Sequence, residues 1–510
     1  MAMAGKRWGC GLAMVLAGAM GVAQQPAAKP ETHLTPEEAK ALFASVDELA
    51  KFAAGETGLP LKHEVKRTLT SRAAVETYLR EKFDEDEDSK RMQRGEIVLK
   101  KFGLLDRDFN LKPFMLELLK EQIAGYYDAK TRTVYMLDWL DAEEQKPVLV
   151  HELTHALQDQ HTDLVKFSDQ TPEEASHNVA EDNDHLERDE MDTARDAVLE
   201  GQAMAVFLDY SLKPLGKSLV GNPELLDTLM SQMSGTDDSP VLARAPILLS
   251  RSLLFPYQDG LSFEQDVWMD KGQKAAFEGV LDAPPASSWE VMNPRGYEAG
   301  KRGAVLNMPD IHPLVDGTFR AYDIGQVGEL DLQILVQILG GEQTARELTP
   351  AWDGGIYWAG QKLTAKTVAE QAKTDSIGLL YLSAWKNHKA AEVFARLYSE
   401  GVGRKYSGVS LDKEHAEAGE TLWATAEGPV VIKVKGKYVF VAESFGLETA
   451  RKLGELMIDG QGTGEVKMAR GEGLSAPMVR WMGGMGMMKA GLRRGRRDQG
   501  PGTRDVGTGD

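Results

Sequence analysis

The feature that most constrains this chain is the pattern His-Glu-x-x-His at residues 151–155. The residues around it, 147–160, have the apolar periodicity of a helix. Each helical residue is rotated by about 100°, so the two histidines lie about 40° apart on one face. The apolar residues fall on the opposite side, and they are Leu149, Leu153, Ala156 and Leu157. The sequence therefore predicts a helix with an apolar back and two histidines on its front.

Two imidazoles one turn apart can share a metal ion, because ligand nitrogens bind zinc at about 2.0–2.1 Å. Glu152 points about 100° away from His151, beside such an ion and not onto it. Zinc lowers the pKa of a bound water from 15.7 toward about 7, and a neighbouring carboxylate can take its proton and pass it to a leaving amine. We expect Glu152 to be this general base. The alternative is a solvent-facing helix that happens to carry two histidines.

A catalytic zinc needs a third protein ligand, and two residues compete for the position. His161 has the spacing of the longer pattern His-Glu-x-x-His-x-x-Gly-x-x-His, but Gln158 occupies the glycine position. If the helix continues, His161 lies about 9 Å beyond His155 along the axis. Glu200 lies in a predicted helix, 187–212, beside small residues that allow helices to approach closely: Ala194, Ala197, Gly201 and Ala205. We expect Glu200 to be the ligand.

The segment before the motif predicts a turn at Gly125–Asp128 and a strand at Thr133–Leu137, running past the metal face. An exposed edge strand can hold an extended peptide through main-chain hydrogen bonds. The alternative is an ordinary edge strand without a ligand. Farther along, Val430–Val434 and Tyr438–Val441 predict a hairpin, and residues 446–458 predict a closing helix.

The run from His151 to His161 resembles the zincin metallopeptidases, and Glu200-Gly201 is similar to their glutamate-liganded, gluzincin-like branch. The chain also resembles a group of exported bacterial proteins through segments that we expect to be ordered loops: Phe255–Gly260, Pro284–Ser288 with Asn293-Pro294, and Trp352–Gly355. The resemblance implies an α+β, zincin-like fold, predominantly helical with a small sheet and an active-site helix. It also implies Zn²⁺ held by His151, His155 and Glu200, with Glu152 as the base.

One position departs from the zincin pattern. Many glutamate-liganded zincins have an acid four residues after the glutamate ligand, where this chain has Met204. The carboxylate that supports a metal ligand would then come from elsewhere, for example from Asp196. For the group that stabilises the oxyanion, Tyr257 and Tyr297 are the candidates, with simple packing as the alternative for each.

The ends of the chain indicate export. Residues 1–23 have Lys6 and Arg7 followed by a short apolar stretch, which is typical of a signal peptide. Beyond it no 18 consecutive apolar residues occur, so we expect no integral membrane segment after signal removal and a periplasmic or secreted product. The predicted regions are an N-terminal linker and helical region, 24–115, a zincin-like catalytic region, 116–300, a C-terminal α+β region, 301–470, and a disordered basic tail, 471–510.

These features together predict an exported zinc metallopeptidase that hydrolyses a peptide or protein substrate. The net charge of −19 argues against nucleic-acid binding. Two alternatives stay open: a zincin scaffold for binding or envelope assembly with little turnover, and a zinc hydrolase of a non-peptide cell-wall amide. The sequence carries no signal for an oligomeric state.

Overall fold

The computed structural model describes residues 33–85, 87–167, 178–219, 222 and 239–462. The predicted signal peptide and basic tail lie outside these residues. The described chain is mixed α+β, as predicted. Its helices, numbered in chain order, are α1 Pro36–Thr57, α2 Arg72–Glu85, α3 Glu87–Phe102, α4 Leu111–Gln122, α5 Ala142–Thr162, α6 Leu164–Phe167, α7 Val179–Arg188, α8 Met191–Leu212, α9 Pro240–Ala243, α10 Ile247–Lys271, α11 Val280–Asp282, α12 Ser288–Met292, α13 Pro294–Glu298, α14 His312–Val315, α15 Glu329–Gly340, α16 Glu342–Leu348, α17 Val368–Gln371, α18 His388–Lys405 and α19 Leu447–Asp459.

Three short 3₁₀ helices, Lys213–Leu215, Thr349–Ala351 and Thr374–Ser376, and a π-helix, Ala275–Gly279, complete the helical part of the described chain. The strands are β1 Lys66–Thr70, β2 Tyr126–Asp128, β3 Thr133–Leu137, β4 Phe319–Gln326, β5 Trp352–Lys362, β6 Ile377–Trp385, β7 Ser410–Leu411, β8 Glu420–Ala424, β9 Val430–Lys435 and β10 Tyr438–Glu443.

The small sheet next to the motif has three strands in the order β1–β3–β2. Strand β3 pairs in parallel with β1 and antiparallel with β2. The predicted strand at Thr133–Leu137 is confirmed, but its predicted edge position is wrong because it is the central strand. The edge that faces away from β1 is β2, where Tyr127 pairs with Val134.

The second sheet is larger than the sequence predicts. It has seven antiparallel strands in the order β4–β5–β6–β10–β9–β8–β7. Alternating residues of β6 belong to different cores: Tyr381 packs with Phe394 of α18, whereas Leu382 shares its cluster with Leu453 of α19. Helices therefore cover both faces of this sheet, which explains why all nine residues of β6 are buried.

Several predicted elements are confirmed with small changes of boundary. The helix that carries the His-Glu-x-x-His pattern extends from Ala142 to Thr162, the hairpin is β9–β10, and the closing helix is α19. Most of the predicted helix over 187–212 is α8, which begins at Met191. Residues 187 and 188 are instead the end of α7, because the chain turns at Asp189 and Glu190.

Two segments predicted as ordered loops are regular structure. Residues 255–260 lie inside the long helix α10, which accommodates Pro256 in its interior. Residues 352–355 are the start of strand β5, with a register irregularity between Trp352 and Gly355. A local sequence rich in glycine and proline predicts a loop. Here tertiary packing keeps these residues in a helix and a strand.

Helices α5, α8 and α10 position the candidate site. Helices α8 and α10 cross backbone to backbone: a Cβ on Gly201 would lie 2.9 Å from the Leu261 amide nitrogen and would overlap the carbonyl of Gly260. Reciprocally, a Cβ on Gly260 would lie 2.9 Å from the carbonyl carbon of Ala197. Only glycines allow this approach.

Within the described ranges, each helix is too short or too polar to cross a lipid bilayer.

Candidate metal centre

Helix α5 is tied to the small sheet before it reaches the motif. Asp141 caps its first turn by accepting hydrogen bonds from the amides of Glu143 and Glu144. The buried side chain of Gln145 accepts from the Leu137 amide and donates to the Leu137 carbonyl, both at 2.9 Å. This two-bond contact fixes the helix against the end of β3, so the motif has a defined place beside β2.

The structure brings the three predicted ligands together. Nε2 of His151 lies 3.0 Å from Oε2 of Glu200 and 3.2 Å from Nε2 of His155, and the latter nitrogen lies 3.6 Å from the same Glu200 oxygen. All three side chains are buried, with at most 2% of each residue exposed. In the part of the chain that the structure describes, no other three His, Cys, Asp or Glu side chains have ligand atoms within 4.8 Å of one another.

This geometry fits a tetrahedral metal ion. With bonds of about 2.0–2.1 Å and tetrahedral angles, ligand atoms lie about 3.3–3.4 Å apart. The three observed separations, 3.0, 3.2 and 3.6 Å, bracket that value. Two imidazole nitrogens and one carboxylate oxygen are also a donor set that zinc accepts, with a fourth position open in catalytic sites.

The charges in the cluster also favour a cation. Burial alone would lower the pKa of His155, but the Glu200 carboxylate, through its charge and hydrogen bond, raises that pKa to about 9. Burial opposes ionisation of Glu200, yet the charge of His155 and hydrogen bonds from both histidines hold its pKa well below the usual range. The carboxylate therefore stays charged in a desolvated site, and a divalent cation can take the place of the histidine proton.

His161 does not join the group. Helix α5 continues to Thr162, and Nε2 of His161 lies 2.9 Å from Oδ1 of Asp282 at the end of α11. Gln158, which replaces the glycine of the longer motif, is buried, and its Oε1 lies 2.8 Å from Nδ1 of His155. Because the turn that would bring His161 back is absent, the structure favours Glu200 as the third ligand.

Glu152 lies close enough to the cluster for its charge to contribute to the raised pKa values of His155 and Tyr257, and it is held by β2. Its Oε2 accepts a hydrogen bond of 2.9 Å from the Tyr127 amide, and only 2% of the residue is exposed. The phenol of Tyr127 donates to Oδ2 of Asp159, seven residues farther along α5. Strand β2 is thus hydrogen-bonded to two residues of α5, Glu152 and Asp159, and Glu152 is the predicted general base.

Of the two tyrosine candidates, only Tyr257 lies at the site. Its ring is nearly parallel to that of His151, with centroids 6.4 Å apart. Burial, followed by the charges of Glu200 and Glu152, raises the pKa of Tyr257 well above its usual value, so its phenol retains a proton. Tyr297 instead packs against Phe263 and donates its hydroxyl to the Ala283 carbonyl.

Asp196 lies one turn before Glu200 on α8 and is buried. Its charge contributes to the raised pKa of Tyr257. Sequence reasoning missed two contributors, Gln158 and Tyr127. For Gln158 the sequence does carry a signal, because a glutamine stands where the longer zincin motif has glycine. Tyr127 contacts Glu152 through its main-chain amide, which every residue except proline has. The identity of the side chain therefore gives no signal for this contact.

Comparisons of the chain with protein-family models, with curated proteins and with solved structures found no match.

Proposed function

We propose that the protein is an exported, zinc-dependent metallopeptidase of zincin-like architecture. The observation that carries the proposal is the buried group of His151, His155 and Glu200 with the Glu152 carboxylate beside it. A binding site alone would need the three ligands but no adjacent base. The combination of three donors and a positioned carboxylate favours hydrolysis.

In the proposed mechanism, His151 and His155 through their Nε2 atoms and Glu200 through Oε2 would hold the ion. Zinc at this position would supply a Lewis acid that lowers the pKa of water toward about 7 and polarises a substrate carbonyl. The Tyr127 amide fixes one oxygen of Glu152. The Glu152 carboxylate would take the water proton and return it to the leaving nitrogen. The phenol of Tyr257 keeps its proton and hydrogen-bonds the Glu200 carboxylate. With that carboxylate on the ion, the phenol would donate instead to the oxygen that becomes negative.

Burial of the site supports a second candidate, a zincin scaffold with little turnover. His151, Glu152, His155 and Glu200 are each 1–2% exposed, and an extended polypeptide needs an open cleft beside them. A zincin scaffold that serves only binding or envelope assembly has no such need. The two candidates share the metal site and differ in whether Glu152 acts on a substrate.

The test compares native protein with Glu152→Gln on unstructured proteins and on cell-wall fragments. If the proposal is correct, native protein cleaves the unstructured proteins, and the variant loses about 10²–10⁴-fold in rate, the usual contribution of a general base. The variant should also retain the zinc content of native protein, measured by elemental analysis, because Glu152 is not a ligand. Full zinc occupancy without any turnover that depends on Glu152 would instead establish the scaffold.

A further inference from the structure

We propose that Gln158 is a positioning residue that decides which ring nitrogen of His155 faces the metal site. Gln202 of α8 holds Gln158 in the required orientation. Both glutamines are fully buried, so their amides must find partners within the protein. The inference rests on the proposed metal site, but its observations are the hydrogen bonds of these two amides.

The orientation of Gln202 is fixed by main-chain carbonyls. Its Nε2 lies 2.9 Å from the Ala276 oxygen and 3.1 Å from the Phe277 oxygen, both in the π-helix. Because a carbonyl oxygen only accepts, the side-chain group that faces these two atoms must be the NH₂. The Oε1 of Gln202 therefore points the other way, toward Gln158.

The orientation of Gln158 follows from the same rule. Its Nε2 lies 3.0 Å from the Leu199 carbonyl oxygen and 2.9 Å from Oε1 of Gln202, and both are acceptors. The NH₂ of Gln158 thus uses its two hydrogens on α8. The remaining atom, Oε1, lies 2.8 Å from Nδ1 of His155 and can only accept from it.

His155 must therefore carry a proton on Nδ1. The proton that a metal ion displaces is then the one on Nε2, the nitrogen that faces His151 and Glu200, and the neutral ring presents its lone pair there. Zinc requires a neutral imidazole with a lone pair on the binding nitrogen. The chain of hydrogen bonds from the π-helix to His155 prepares the ring for metal.

The same amides join the two helices that carry the ligands. Gln158 belongs to α5, whereas Leu199, whose carbonyl it contacts, directly precedes Glu200 on α8. One side chain therefore orients His155 and also holds the backbone beside the third ligand. Replacing Gln158 should loosen metal binding without removing any ligand.

The experiment measures Zn²⁺ affinity by competition with a chromophoric chelator, for native protein and for Gln158→Leu, Gln158→Glu and Gln160→Leu. We expect Gln158→Leu to weaken binding about 10–100-fold, the usual effect of losing a partner of a metal-ligating histidine. Gln158→Glu keeps an acceptor for the Nδ1 proton and should restore part of the affinity. Gln160 is the matched control, because it lies on α5 but its amide contacts Lys62 and His63.

A second measurement does not depend on whether Gln158→Leu folds. In zinc-loaded native protein with ¹⁵N-labelled histidine, we expect the protonated ring nitrogen of His155 to be Nδ1. Metal binding through Nδ1, or equal affinity in native protein and a folded Gln158→Leu variant, would overturn the inference and leave the metal site standing. Native protein that binds no Zn²⁺ would overturn the proposed function and the role of Gln158 together.

Discussion

At the scale of single residues, the site depends on helical spacing. His151 and His155 are one turn apart, and their Nε2 atoms meet at 3.2 Å. His161 is six residues past His155 and contacts Asp282 instead. The carboxylate of Glu200 neutralises part of the charge that a divalent ion would bring into a desolvated site.

Because Glu200 lies in the cluster and His161 lies outside it, replacing each residue should affect metal content differently. Glu200→Ala removes one of the three proposed ligands and leaves the two imidazoles alone, so we expect the purified variant to contain much less zinc than native protein. His161→Ala removes only a contact with Asp282, whose side chain is largely exposed, and zinc content should stay at the native value. Elemental analysis of the two variants and native protein makes the measurement. The reverse pattern, with zinc lost only in His161→Ala, would show that the ligand assignment is incorrect.

At the scale of elements, the crossing of α8 and α10 sets where Glu200 and Tyr257 lie. Glu200 directly precedes Gly201, and Tyr257 lies three residues before Gly260, so both side chains come from the point where the two backbones touch. A change in the distance between these helices therefore moves the proposed ligand Glu200 and the Tyr257 phenol together.

Gly201→Ala tests this crossing. Alanine normally stabilises a helix interior relative to glycine by about 1 kcal/mol. Here its Cβ would overlap the Gly260 carbonyl, and backbone cannot yield as a flexible side chain does. We expect the free energy of unfolding to fall by about 1–3 kcal/mol, with weaker zinc binding. Gly55→Ala in α1 is the control, since a Cβ there has no neighbour within 4 Å. A Gly201→Ala variant as stable as Gly55→Ala would contradict the close crossing.

The same elements show what the sequence could predict. The His-Glu-x-x-His spacing predicted the site on α5 because helical geometry is local. The stripe with Ala197 and Gly201 correctly predicted a close helix approach, but the close neighbour is α10, whereas the prediction placed the motif helix there. A run of small residues indicates that another helix packs closely, but it does not indicate which helix that is. Likewise, the glycine and proline content of residues 255–260 predicts a loop, whereas Gly260 lies inside α10 at the helix crossing.

At the scale of the whole molecule, the start of α8 is held by residues that lie far along the chain, in strand β4 and at the start of α12. The Gln326 amide of β4 donates to Oδ2 of Asp189, and the Ser288 hydroxyl donates to Oε1 of Glu190, each at 2.5 Å. Burial, aided by the charges of Asp331 and Asp189, raises the pKa of Glu190 to about 8. Burial also raises the pKa of Asp331 to about 7. Helix α8, which carries Glu200, thus begins in a buried cluster of acids in which Glu190 and Asp331 are more easily protonated than in water.

These raised pKa values predict how stability changes with pH. A carboxyl whose pKa is higher in the folded than in the unfolded protein contributes full stability below its unfolded pKa, about 4.5 for Glu190, and loses it as pH rises through the folded value. We expect the urea midpoint to fall as pH increases from about 5 to about 8. Glu190→Gln keeps the shape but cannot ionise, so it should flatten this decline, whereas the exposed Glu347→Gln should leave it unchanged. If Glu190→Gln and native protein lose stability in parallel over this range, Glu190 is already ionised at neutral pH and the anchor of α8 is a charged one.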